Sequence, residues 1–194
     1  MNNDFPKTGK DTLALGMQLV RFLRTRIEDT VDRDGWTTQS LDALRAFSSN
    51  AALHPYALKS YPPEGSNRKG AFLWDYVAYQ QNTGILITAE SEFDEGVGKL
   101  EEDFDKLLYA QSRIKLFMFR TEKNRSAIDE IVTRLTRHMA SCTEYSPAEV
   151  YILYCRQWKD GAGKRGDLAW FRQVEGDPTY RNVCEAGFIE IPDE

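Results

Sequence analysis

The stretch LWDYVAYQQNTGILITAESEF, from Leu73 to Phe93, decides the fold of this chain. It contains two apolar runs that are rich in aromatic and β-branched residues, and the segment QQNTG between them has the composition of a turn. The pattern predicts one strand from Phe72 to Tyr79 and a second strand from Ile85 to Phe93. Two strands joined by a short turn form an antiparallel hairpin. We therefore expect a β-hairpin near the middle of the chain.

The register of this hairpin places acidic side chains together. A four-residue loop would pair Gln80 with Ile85, so that the numbers of paired residues add up to 165. The same sum sets Asp75 opposite Glu90, and Glu92 follows on the same face because side chains alternate along a strand. Opposite residues lie about 4.5 to 5.5 Å apart at Cβ. We expect three carboxylates side by side on one face of the sheet.

Three close carboxylates among apolar residues need a compensating partner. Burial and mutual repulsion both disfavour the ionised form, so a proton, a cation or a metal ion must balance the charge. Mg²⁺ suits such a site, because it binds one or two carboxylates together with water and substrate phosphate. Ion pairs with a nearby arginine, such as Arg113 or Arg120, are the structural alternative.

The rest of the sequence alternates between helical and strand patterns. Apolar periodicity predicts helices at 12–31, 37–50, 98–112 and 126–140, and strands at 113–120, 149–158 and 167–174. Thr38 or Ser40 is the expected N-cap of the second helix. The strand Arg113–Arg120 is apolar on both faces and is expected at the centre of the sheet. The predicted fold class is α/β, a mixed α/β or α+β sandwich around one sheet, in a single domain of residues 1–194.

The composition restricts the class of protein. The 194 residues are 41% hydrophobic and 28% charged, which excludes a disordered chain, and no apolar run approaches the roughly 20 residues that a membrane span needs. The N-terminal segment MNNDFPKTGKD lacks the layout of a signal peptide. Three widely spaced cysteines argue against a zinc site or disulfide framework and indicate a cytoplasmic protein: Cys142, Cys155 and Cys184.

The charge is unevenly distributed. A net charge of −5 argues against nonspecific binding of nucleic acid by the whole surface. Eight acidic residues and one lysine lie between Glu90 and Asp105, and basic residues gather on either side of this segment. An acidic centre with basic flanks suits a metal-using phosphodiesterase, although charge runs of this kind also occur as solvated faces.

The carboxylates and their order resemble a known family. Asp75, then Glu90-Ser91-Glu92 at the end of the next strand, then a helix and an apolar strand, is similar to the PD-(D/E)XK nucleases, the restriction-endonuclease-like superfamily. The resemblance covers roughly Thr12 to Arg120, with residues 121–194 as a C-terminal elaboration. It implies a core of helix, three strands, helix and strand. It also implies that Asp75 and Glu90 hold Mg²⁺ or Mn²⁺.

The lysine of the family motif is not at its usual position. The third motif position is normally lysine and here is Glu92. Some members carry the lysine on the following helix, where Lys106 is the corresponding residue. Helical periodicity predicts that the face formed by Leu100, Phe104 and Leu107 packs on the sheet. The same periodicity places Lys106 away from that face. We therefore expect Lys106 to point towards solvent.

Two further residues could complete the family site. Lys115, on the central strand, is the alternative source of a lysine. Glu28, in the first helix, corresponds to an additional acid that some members place near the metal. The family proline before the aspartate is replaced here by Trp74.

The resemblance implies a Mg²⁺-dependent nuclease that acts on nucleic acid, with DNA ahead of RNA. In this interpretation Glu92 orients or deprotonates the attacking water, and a lysine stabilises the charge on the phosphate. The alternative is a catalytically inactive member of the same fold. Such a subunit would act in binding or assembly, for example in a bacterial defence complex. A homodimer or a larger protein complex is compatible with both hypotheses, and no contact with a membrane is expected.

The other chemical motifs are weaker. With only His54 and His138, a three-histidine metal site is excluded within one chain. The segment GAGK at 161–164 lacks the rest of a phosphate-binding loop and is interpreted as a hairpin turn. Aromatic residues in the late strands suit core packing, a subunit interface or base stacking equally well: Tyr151, Tyr154, Trp158, Trp170 and Phe171.

Overall fold

A computed structural model describes ten segments of the chain, which comprise residues 9–27, 33–50, 59–61, 73–80, 84–93, 96–121, 124–141, 149–157, 166–173 and 189–191. These segments form four helices, α1 (Gly9–Arg26), α2 (Arg33–Ser49), α3 (Val97–Leu108) and α4 (Arg125–Ser141). They also form seven strands, β1 (Lys59–Tyr61), β2 (Tyr76–Gln80), β3 (Gly84–Phe93), β4 (Ser112–Thr121), β5 (Val150–Gln157), β6 (Gly166–Gln173) and β7 (Ile189–Ile191).

The strands form one mixed sheet in the order in which they occur along the chain, from β1 to β7. The three central strands β3, β4 and β5 are parallel, and the pairs on either side of them are antiparallel. Parallel neighbours need a crossover, which α3 supplies between β3 and β4 and α4 supplies between β4 and β5. The predicted α/β class and the central position of β4 are thus confirmed.

Side chains alternate between two cores on opposite faces of the sheet. On β4, Ile114, Leu116 and Met118 belong to one core together with α1 and α2. Phe117 and Phe119 belong to the other core, where they contact α3 and α4. The near-continuous apolar sequence of β4 follows from this arrangement, because a strand covered on both faces buries nearly all of its side chains.

The hairpin between β2 and β3 has an irregular register. Next to the turn, Gln80 pairs with Gly84 rather than with Ile85, so the predicted pairing at this end is wrong. A β-bulge between Ala78 and Tyr79 then shifts the register by one residue. Beyond the bulge the paired numbers add up to 165, as in the pair Tyr76 and Ala89. The predicted register is therefore correct at the end of the hairpin that carries Asp75.

Several element boundaries differ from the prediction. Helix α2 begins at Arg33, so Thr38 and Ser40 lie inside the helix and are not its N-cap. The reason is Trp36, which is fully buried and extends the apolar stripe by one turn. Strand β2 begins only at Tyr76, after a bend at residues 73–75.

Two strands were not predicted. Strands β1 and β7 have three residues each, which is too short to show an alternating pattern. Because β1 covers one side of β2, the strand that follows Asp75 is internal to the sheet.

Candidate active site

Asp75 lies in the bend immediately before β2, beside the last part of β3. Its Oδ2 accepts a hydrogen bond from the backbone N–H of Ser91 at 3.0 Å. Since Tyr76 pairs with Ala89, the preceding residue Asp75 comes next to Glu90. The two carboxylates predicted to meet across the hairpin are therefore neighbours.

Glu90 is the more buried of the two carboxylates, with only 3% of its surface exposed. Its Oε1 is buried and has no hydrogen-bond partner among the described residues. Burial raises the pKa of Glu90 to about 8, and the nearby charge of Asp75 acts in the same direction. Burial also raises the pKa of Asp75, against the effect of the hydrogen bond from Ser91. Glu90 therefore holds a proton at neutral pH unless a cation replaces that proton.

Helix α3 covers this face of the hairpin and brings a lysine to it. Lys106 Nζ lies 3.8 Å from Glu90 Oε2 and 2.5 Å from Asp103 Oδ1. Its side chain is only 28% exposed, so the prediction that Lys106 points into solvent is wrong. Helical periodicity identified the centre of the apolar face of α3 correctly. Lys106 lies at the border of that face, and its side chain points towards the carboxylates.

Asp103 connects Lys106 to the rest of the site. It is 3% exposed and also accepts a hydrogen bond from Lys99 Nζ at 3.2 Å. Burial raises the pKa of Asp103, but hydrogen bonds with Glu92, Lys106 and Lys99 outweigh burial and hold that pKa below its ordinary value of 3.8. Asp103 is thus an ionised carboxylate inside the packed side of α3.

Glu92, the third predicted carboxylate, is half-buried on the same face as Glu90. Its carboxyl group hydrogen-bonds with Asp103, and its Oε1 accepts the backbone N–H of Phe93 at 3.3 Å. The structure therefore brings together all four predicted site residues, but Glu92 is joined to them through Asp103.

Trp74 links the two elements of the site. Its indole Nε1 donates to the backbone carbonyl of Lys106 at 2.9 Å. The residue next to Asp75 therefore fixes the last turn of α3, which carries the lysine. Trp74 therefore connects the segment that carries Asp75 to the helix that carries Lys106.

The other predicted cations do not reach this site. Lys115 is buried elsewhere, where its Nζ contacts Glu149 Oε2 at 3.0 Å and donates to the Tyr151 hydroxyl at 2.8 Å. Arg120 lies on the opposite face of the sheet, over the Phe93 ring at 5.2 Å from its centroid. Arg113 lies at the other end of β4, four residues from the position opposite Glu90. The cations that act on Glu90 and Asp75 are lysines of α3 instead.

Some predicted features lie outside the described residues. They are Glu28, the GAGK segment, His54, Cys142, Cys184 and Trp158. Of the aromatic residues in the late strands, Tyr151, Tyr154 and Trp170 are core residues, which favours packing over base stacking for these three.

Asp103, Lys99 and Trp74 were not predicted as site residues. A sequence signal exists for the helix residues, because 99, 103 and 106 follow the spacing of one helical stripe. This stripe borders the apolar stripe of Leu100, Phe104 and Leu107. Polar side chains next to the apolar face of a helix can reach the edge of the sheet that the helix covers. Their position beside the apolar stripe was the sequence signal that could have identified them as site residues.

The ten described segments also bear on metal binding and on insertion into a membrane. They contain no group of three or more histidine, cysteine, aspartate or glutamate side chains that could hold a metal ion. None of their helices is long and apolar enough to cross a membrane. Comparison with protein-family models, with curated proteins and with solved structures finds no significant match.

Proposed function

We propose that this chain is a nuclease that uses Mg²⁺ or Mn²⁺, with a divergent restriction-endonuclease-like core. One observation carries the proposal: Lys106 Nζ lies 3.8 Å from Glu90 Oε2, on the face to which Asp75 also contributes. Two carboxylates and a lysine are the groups that the PD-(D/E)XK resemblance requires. The sequence motif lacks the lysine, and the helix that follows the motif supplies it.

The order of the elements supports the same proposal. Helices α1 and α2 precede three antiparallel strands, β1 to β3, and α3 then crosses over to the parallel strand β4. The helices of the two groups pack on opposite faces of the sheet. This is the order of helix, three strands, helix and strand that the resemblance implies for the core.

The side chains fit a metal site made of two carboxylates. Glu90 Oε1 is buried and lacks a hydrogen-bond donor, and Asp75 is half-buried beside it. Mg²⁺ needs one or two carboxylates, and water and substrate phosphate complete its coordination. When bound, the ion would supply charge stabilisation at the phosphate and lower the pKa of a bound water. Asp75 and Glu90 are the residues that would hold it.

The remaining residues bind and orient. Lys106 is an ammonium group, because its hydrogen bond to Asp103 and the charges of Glu90 and Asp75 outweigh burial and raise its pKa. A fixed positive charge beside the carboxylates can stabilise negative charge that develops on a phosphate. Glu92 is half-buried next to them and would orient the attacking water.

Nucleic acid is the substrate class that this chemistry suits, with DNA ahead of RNA by the resemblance. Asp103 is ionised and already binds both Lys99 and Lys106, and loss of the Glu90 proton adds a further negative charge that repels a phosphate backbone. Phosphate binding at this face therefore depends on the metal ion. We expect the protein to bind nucleic acid at this face only when a divalent cation is present.

The proposal is tested by melting the protein with increasing Mg²⁺ or Mn²⁺. A ligand at about one hundred times its Kd adds about 2.7 kcal/mol, which raises the Tm of a chain of this size by about 5 to 10 °C. We expect this rise for the wild type and for Asp129→Asn, which removes an exposed carboxylate on α4. Asp75→Asn and Glu90→Gln should lose it.

Two results contradict the proposal. If metal leaves the wild type unchanged while both site variants melt higher, the carboxylates form a strained site in an inactive nuclease-fold subunit. If Asp75→Asn and Glu90→Gln respond to metal as the control does, the metal binds elsewhere and Asp75 and Glu90 are not its ligands.

A further inference from the structure

A buried aspartate in the middle of an amphipathic helix needs an explanation. Asp103 lies on the packed side of α3 with Leu100, Phe104 and Leu107, and 3% of its surface is exposed. An aspartate at this position is unfavourable for the helix and loses hydration. Hydrophobic packing alone would favour an apolar residue here. The contacts of Asp103 therefore indicate what its carboxylate does.

The carboxylate of Asp103 determines where Lys106 points. Lys106 borders the apolar face, so an unrestrained lysine at this position would extend into water. Its Nζ instead lies 2.5 Å from Asp103 Oδ1, one helical turn away, and this contact turns the ammonium group towards the sheet. Nζ then lies 3.8 Å from Glu90 Oε2. The shorter contact is within α3 itself, so the helix holds the lysine in place before any substrate binds.

Asp103 is also held from its other side. Lys99 Nζ donates to the same Oδ1 at 3.2 Å, and Glu92 hydrogen-bonds with the Asp103 carboxyl group. A carboxylate with several donors has little freedom to rotate, so the lysine bound to it is fixed as well. Groups that must act together are most effective when neighbouring hydrogen bonds fix their rotamers.

We propose that Asp103 is a positioning residue, which holds the Lys106 ammonium group close to Glu90. The ammonium group is then in position before a phosphate binds. The positioning itself is a property of the unliganded chain, and its role in cleavage rests on the proposed nuclease function. Asp103 acts through Lys106 and needs no contact with substrate or metal.

The first test measures Lys106 without any substrate. Lysine side chains are labelled with an amine reagent across a range of pH, and labelling at each lysine is followed by mass spectrometry. We expect Asp103→Asn to label Lys106 faster than the wild type, because the substitution removes the ion pair that holds the ammonium group against the sheet. Asp129→Asn, which breaks an exposed pair with Arg125, should label Lys106 at the wild-type rate. Equal labelling of Lys106 in Asp103→Asn and the wild type overturns the proposal.

The wild type provides a measurement that does not depend on how a variant folds. With ¹⁵N-labelled lysine, the ammonium protons of Lys106 should exchange with water more slowly than those of Lys10, which is exposed on α1. Equal exchange of the two ammonium groups overturns the proposal. Asp103→Glu keeps the charge and should restore slow labelling of Lys106, whereas fast labelling in this variant counts against a positioning role.

The second test uses cleavage and separates positioning from structure. We expect Asp103→Asn to reduce kcat by about 10- to 100-fold, as is typical when a supporting residue is lost, with little change in the Mg²⁺ dependence. In a Lys106→Ala background, Asp103→Asn should reduce kcat no further, because Asp103 acts through that lysine. Additive losses overturn the proposal. If the wild type cleaves nothing, the proposed function fails, and the labelling experiment still decides the role of Asp103.

Discussion

The protonation of Glu90 makes the stability of this protein depend on pH in an unusual direction. Folding raises the pKa of this carboxyl group from 4.5 to about 8, mainly through burial. The folded state therefore binds more protons than the unfolded state between these two values. By linkage, the free energy of unfolding falls as the pH rises through this window. The contribution of Glu90 is complete below about pH 4.5 and is lost as the pH passes through about 8.

The size of this effect follows from the pKa values. At about 1.4 kcal/mol per pH unit, the rise from 4.5 to about 8 corresponds to an upper bound of about 5 kcal/mol. Glu90→Gln removes the titration and keeps the shape of the side chain. The free energy of unfolding of Glu90→Gln minus that of the wild type should therefore increase between pH 5 and 9. The amide group itself can add only a difference that does not depend on pH.

The assay is urea unfolding followed by tryptophan fluorescence at pH values from about 5 to 9, without divalent metal. Glu130→Gln, which removes a carboxylate from the exposed face of α4, is the matched control. A difference between Glu90→Gln and the wild type that does not change with pH would refute the reasoning. So would a difference that shrinks as the pH rises.

Three more predictions concern the surroundings of the site. Trp74→Phe removes the indole donor to the Lys106 carbonyl and should lower the free energy of unfolding by about 0.5 to 1.5 kcal/mol in urea titrations; no loss would mean that the hydrogen bond is unimportant. Lys115→Met leaves the Glu149 carboxylate buried without its lysine and should lower that free energy by about 3 to 5 kcal/mol. Adding Glu149→Leu should recover much of this loss, and a double variant as unstable as the single one would contradict the ion-pair explanation. Calorimetric titrations should show Mg²⁺ affinity rising about tenfold per pH unit up to about pH 8, because the ion displaces the Glu90 proton, and a pH-independent affinity would contradict this.

The sequence was sufficient to predict most of the sheet and the meeting of Asp75 with Glu90. The hairpin and the crossovers follow from the change between strand and helix periodicity, which is a local signal. The register at Asp75 was nevertheless obtained from a pairing at the turn that the structure does not have. The bulge between Ala78 and Tyr79 compensates for it. A one-residue irregularity of this kind has no clear sequence pattern, so the agreement at Asp75 owes something to chance.

The position of Lys106 could not be predicted because it depends on another residue. Helical periodicity divides a helix into a packed face and a solvated face, and Lys106 lies near the border. Its direction is decided by Asp103, whose own burial is exceptional for an aspartate. Lys115 illustrates the opposite case, since its place on the central strand suggested a functional lysine. Its contacts with Glu149 and Tyr151 form a buried structural pair instead.

Asp75, Glu90 and Lys106 are proposed to form a metal-dependent phosphodiesterase site. The most direct test is the rate at which the wild type and Lys106→Ala cleave plasmid DNA and single-stranded RNA in Mg²⁺ and in Mn²⁺. We predict that the wild type cleaves nucleic acid only with a divalent cation, and that Lys106→Ala keeps the rise in Tm caused by metal but loses cleavage by at least about 100-fold. Equal cleavage by both proteins, or no cleavage by the wild type while metal binds, would contradict the account.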